Sequence, residues 1–114
     1  MYRFKIGKAN LGYNFSDARE LEKWEQAFTV FEAAQGNLPK DAAGSAQIRY
    51  VCGTVFDLFD TIFGGGTAEK VFGDSCDLEV CVEAVGQLID ARNAADEKAS
   101  ARIQAMAAKY SPKK

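Results

Sequence analysis

The sequence contains no histidine. That removes the commonest general base, the commonest metal ligand and the usual proton switch near neutral pH. Cysteine is sparse: Cys52, Cys76 and Cys81 form an odd set with no C-x-x-C pair. A structural zinc site needs four ligands at tighter spacing. Cys52 and Cys81 instead sit on apolar rows and read as buried thiols, with Cys76 exposed. Proline occurs only at Pro39 and Pro112, outside the periodic segments. No stretch approaches the ~18 apolar residues that a membrane span requires. Basic residues number fourteen, scattered from Arg3 to Lys114 without a run or face, and the net charge is −2. Phosphate neutralisation needs a concentrated basic footprint, so nucleic acid is excluded as the main ligand. The first residues alternate rather than form the apolar core of a secretory signal. The expectation is a soluble cytoplasmic protein with reduced thiols and no catalytic, cofactor-binding or metal-ligating residue.

What is present is an ordinary globular composition, 47% hydrophobic and 26% charged in 114 residues. That length predicts one domain, 1–114. A chain of this size buries roughly two-thirds of its unfolded surface, enough for a modest core without staples.

The densest pattern lies between Gln47 and Gly73. At about 100° per residue, Ile48, Val51, Cys52, Val55, Phe56, Leu58, Phe59, Ile62 and Phe63 fall in one arc of roughly 160°. Polar residues and Tyr50 fill the opposite arc. An arc wider than the ~100° stripe of a surface helix predicts two or more neighbours. This is the expected core helix, 41–63, with Asp41 as its cap. Gly64, Gly65 and Gly66 end it, because glycine takes the left-handed C-cap conformation without steric cost. Thr67 is then expected to cap a short helix, 67–72.

Before this stretch, Tyr2, Phe4 and Ile6 alternate with polar residues, as do Leu11, Tyr13 and Phe15. The two runs flank Gly7-Lys8 and predict a β-hairpin over 1–15. A lone hairpin is marginal in water, so its apolar face must lie on a helix. Asp17 with Glu20 predicts a capped helix over 17–36, its stripe formed by Leu21, Trp24, Phe28 and Phe31. After the core, Asp77 is expected to cap a last helix over 77–110. Its stripe is Leu78, Cys81, Val82, Val85, Leu88 and Ile89. Arg92 and Asp96 interrupt the row, and only Ile103, Met106 and Tyr110 are large thereafter. Alanines fill the rest and keep the segment helical with little packing. Ser111-Pro112 ends the helix and Lys113-Lys114 forms a basic tail. The expected class is mainly α, formally α+β: a three-helix body, a short N-terminal hairpin and a short extra helix after the glycines.

Two patterns invite chemistry and fail. Three glycines before a helix suggest a phosphate site, but a phosphate loop follows a strand and closes with Gly-Lys-Ser/Thr. Here a helix precedes the glycines and Lys70 lies inside the next one. Asp57 and Asp60 share a helix face, but beside Thr54 and Thr61 they read as a solvated face rather than an acid–base pair. A partner surface is a better use of the unassigned apolar residues. Tyr50 stands in the polar arc, Val30 lies off its helix stripe, and Ile103, Met106 and Tyr110 form a sparse row. The partner-facing segment is expected to be Ala91–Tyr110.

The stretch TVFDLFDTIFGGGTAEKVFG, with the aromatic hairpin before it and the closing KYSPKK, resembles a family of small proteins from bacteriophage and prophage tail-gene clusters. The resemblance covers nearly the whole chain and rests on packing and turn residues. Proteins at that position look like tail assembly chaperones. The resemblance therefore implies a non-catalytic protein of the bacterial host cytoplasm. It would hold the tape-measure protein soluble and help to recruit tail-tube subunits, with no cofactor. It also implies a frameshifted longer form, for which Lys113-Lys114 is the compatible terminus. The alternative within the same setting is a structural tail-completion or connector component of the virion. Self-association through the last helix is the other partner class left open.

Overall fold

The computed structural model describes residues 1–110. The expected helix stop at Ser111-Pro112 and the basic tail Lys113-Lys114 lie outside the described residues. Strands β1 (Tyr2–Ile6) and β2 (Ala9–Tyr13) are followed by helices α1 (Ala18–Gln35), α2 (Gly44–Phe63), α3 (Thr67–Phe72) and α4 (Leu78–Tyr110). The fold is mainly α with one antiparallel hairpin, as the periodicity predicts.

Tyr2 pairs with Tyr13, Phe4 with Leu11 and Ile6 with Ala9. The turn needs Gly7, which sits at φ +58° against the backbone of α3. One face of the hairpin places Ile6, Leu11 and Tyr13 in the core. There Tyr13 and Phe15 stack against Trp24 of α1, ring centroids 5.2 and 4.8 Å away, and Phe4 meets Phe63 of α2 at 6.0 Å. The Tyr13 hydroxyl donates to the Glu20 carbonyl at 2.6 Å, so its polar end is satisfied inside the aromatic cluster.

Asp17 caps α1, its carboxylate accepting from the amides of Arg19 and Glu20. Asp77 does the same for α4 through the amide of Val80. Two expected caps are different. Asp41 does not cap α2. The helix starts at Gly44 after Ala43, and no side chain caps it. The Gln47 amide instead donates to the carbonyls of Pro39 and Lys40 and ties down the preceding loop. Thr67 is the first residue of α3 rather than its cap, and its hydroxyl donates back to the Gly64 carbonyl. The cap of α3 comes from another helix: the Asp60 carboxylate accepts from the Ala68 amide at 2.8 Å. Asp60 is thus a joint between α2 and α3, made reachable by the positive φ of Gly64 (112°) and Gly66 (92°).

α2 is the core helix. Cys52, Val55, Leu58, Phe59 and Ile62 are buried on it, and Val51, Phe56 and Phe63 are half-buried. Ile48 departs from the expected arc and is 37% exposed. Residues 44–46, 48 and 49 are all exposed, so the start of α2 stands clear of the core.

The last helix is rotated from expectation. Its buried row is Cys81, Ala84, Leu88, Ala91 and Ala95, while Leu78, Val82 and Ile89 are exposed. Small side chains in the contact row let the α4 backbone approach its neighbours closely, where valine or isoleucine would hold it off. α4 then continues past the body. Every residue from Asp96 to Tyr110 is exposed. The molecule measures 68 × 28 × 22 Å, and α4, roughly 50 Å long at 1.5 Å per residue, is its longest element.

Candidate partner-binding surfaces

The free end of α4 is the most unusual surface of the chain. Ile103 is 60% exposed, Met106 55% and Tyr110 82%. Three of the expected contact residues therefore lie on one open helix. They continue a longer row. Leu78, Val82, Val85 and Ile89 precede them in alternating steps of four and three residues, with Arg92, Asp96 and Ala99 bridging the interval. That spacing is the seam of a two-stranded helical pair. Arg92 lies at its middle, 3.4 Å from Asp96 and 3.6 Å from Glu25 of α1.

The expected segment Ala91–Tyr110 begins too early. Ala91 and Ala95 are buried in the body, so the open part starts at Asp96. The sequence obscures this boundary because alanine serves equally as a contact residue and as a solvent-facing helix former. Above the body, Lys98 places its ammonium 5.7 Å from the centre of the Tyr2 ring, a last tether between the arm and the hairpin.

Tyr50 has a different place from the other three. It is half-buried, and its hydroxyl donates to the Ala34 carbonyl at 2.8 Å, lashing α2 to the end of α1. Gln35 adds a bond from its amide to the Thr54 hydroxyl at 2.9 Å. Part of the polar arc of α2 is thus an interhelical contact rather than a solvated face. Asp57 remains exposed, at the edge of an apolar groove of about 280 Å³ between α1 and α2. Val30, 69% exposed, forms the opposite edge.

The three cysteines come together. Cys52 and Cys81 are buried and Cys76 is exposed. Burial, with the neighbouring thiols of Cys81 and Cys76 adding to it, pushes the Cys52 thiol up to about 12. Cys81 is also raised, by burial first. Burial pushes the Tyr13 phenol up to about 12, helped by the charges of Glu20 and Asp17. Cys52 and Tyr13 stay neutral when folded and ionise earlier when unfolded. Their contribution is complete below their ordinary values of 9.0 and 10.0 and is lost as pH rises toward about 12. Unfolding free energy should therefore fall by about 1.4 kcal/mol per pH unit for each group across its own window. Urea titrations at stepped alkaline pH check this, and Cys52→Ala should make the slope that begins near 9.0 shallower, Cys81 keeping part of it.

Among the described residues no cluster of three histidine, cysteine or acidic side chains is placed to hold a metal ion. No helix among them is long and apolar enough to cross a membrane.

The fold and its surface define a small helical protein with a hairpin-buttressed core and a projecting amphipathic arm. The chain belongs to a family of unknown function, DUF6673, whose model matches residues 7–114. No curated protein and no solved structure matches it.

Proposed function

We propose that the chain is a bacteriophage tail assembly chaperone. It works in the cytoplasm of the bacterial host, binds the tape-measure protein and helps to bring tail-tube subunits to it. It does no covalent chemistry. The observation that carries this reading is the projecting end of α4, where Ile103, Met106 and Tyr110 are exposed on one helix. A long helical client offers apolar rows of the same period, and helices dock on such rows through residues three and four apart. Met106 adds an unbranched, adaptable contact. The resemblance of the stretch from Thr54 to Gly73 and of the closing KYSPKK to tail-cluster proteins supplies the setting.

The test is co-expression with the tape-measure protein of the same gene cluster. The intact chain should keep the client in the supernatant, and Ile103→Asp with Met106→Asp should leave it in the pellet. Both positions are exposed, so the variant should retain its helical circular dichroism. A client that stays soluble beside the variant would remove the arm from the reading. Mass spectrometry of finished particles separates a chaperone, which should be absent, from a structural tail component, which should be retained.

A further inference from the structure

The row on α4 is complementary to itself when reversed. Laid antiparallel against a second copy, one register places Tyr110 opposite Leu78, Met106 opposite Val82 and Ile103 opposite Val85. The same register sets Ala99 against Ile89 and, at the centre, Asp96 against Arg92. All five pairs belong to that one register. Antiparallel helical pairs are built of such layers, each joining the two alternate seam positions.

The charges make the same choice. Residues 98–110 contain Lys98, Arg102 and Lys109 and no acid, while residues 78–90 contain Glu79, Glu83 and Asp90 and no base. The register overlaps the basic segment of one copy with the acidic segment of the other, a complementarity of segment charge rather than of facing pairs: Arg102 and Lys109 flank the row on the side of Cys81 and Leu88, Glu83 and Asp90 on the opposite side. A parallel pair would lay the basic arm on the basic arm. We propose that the chain forms a two-fold homodimer in which each α4 arm packs antiparallel along the row of the other copy's α4, exposed at Leu78, Val82 and Ile89 and half-buried at Val85 and Arg92, with the axis beside Ala94.

The arm, 98–110, continues the 33-residue helix α4, and its alanines keep it helical, so what a second copy adds is cover for its open apolar row. The arm of one copy covers Leu78, Val82 and Ile89 of the other, and its own row is covered in return. At the axis, Arg92 and Asp96 already pair within the chain and face their counterparts across the two-fold. A charged layer of this kind fixes register, since any slip would set it against an apolar layer. The dimer uses the row assigned above to a client but does not rest on that assignment. If both hold, the dimer is the resting form that a client must open.

The full chain alone tests the dimer. Sedimentation equilibrium should give twice the 12.4 kDa chain mass. Val82→Glu or Met106→Lys alone should weaken association by about tenfold or more, since each puts an unpaired charge into the seam. Both positions are exposed, and circular dichroism should show the body intact. The double variant V82E/M106K should dimerise again, because the antiparallel register joins the two new opposite charges twice. A parallel pair would oppose like charges at both positions and stay apart. A monomeric wild type, a Met106→Lys variant that still dimerises, or a double variant that stays monomeric would each overturn the proposal. The readout is mass without a client, so any of these leaves the client reading standing.

Discussion

Phe59→Ala should lower the unfolding free energy by about 3–5 kcal/mol, the range for deleting a fully buried phenylalanine. Phe59 has no exposed surface. Its ring lies 5.3 Å from Phe72 on α3 and 6.1 Å from Phe63 on its own helix, and Phe63 in turn touches Phe4, Tyr13 and Trp24. The lost ring therefore opens a space between α2 and α3 beside the cluster that holds the hairpin. The neighbours cannot collapse into it easily. The α2–α3 turn is fixed by Asp60 on the Ala68 amide, and the hairpin is fixed by its strand register. Domains of this size have about 5–15 kcal/mol in total. The variant should accordingly melt far below the parent, with urea midpoints giving the difference. Phe31→Ala, on a half-buried ring at the edge of the same core, should cost distinctly less. Equal losses at the two positions would mean that α2 is not the centre of the fold.

A chain ending at Glu97 should keep its body. The cut removes residues from Lys98 onward and spares every buried position of α4, the last of which is Ala95. Among the contacts given up is the cation placed over Tyr2, worth about 0.5–1 kcal/mol at an exposed site. The shortened protein should melt cooperatively within a few degrees of the monomeric parent, a shift that follows from ~1 kcal/mol in a domain of this length. Its helical signal should drop by the thirteen residues 98–110. Its hydrodynamic radius should shrink, because the removed arm is the exposed end of the longest helix. It should also lose any rise of melting temperature with protein concentration, since a folded oligomer is stabilised by mass action. Cutting instead at Arg92 removes Ala95 from the core and the ion pair with Glu25, and should unfold the lower part of α4. Comparing the two truncations locates where the body ends. A truncation at Glu97 that unfolds would show the arm to be part of the core.

The element types follow from local chemistry. Period-two alternation around Gly7 marks a hairpin before the helix that it packs on is known. The arc from Val51 to Phe63 makes a buried helix, and three glycines after Phe63 stop it. Asp17 and Asp77 cap their helices because each has free amides two or three residues ahead. Ile103, Met106 and Tyr110 were legible as an exposed row because nothing else large follows Ile89. By contrast, which residues share a helix–helix contact depends on distance between backbones, which no local pattern carries. For that reason α4 turned its alanines inward and left Val82 and Ile89 open, Tyr50 bound the end of α1, and the cap of α3 came from Asp60 rather than Thr67. The sequence by itself determined the elements and the residues able to be apolar contacts. The tertiary structure decided which contacts were consumed inside the chain and which were left for another, because only packing sets how closely two helices approach and hence which face remains.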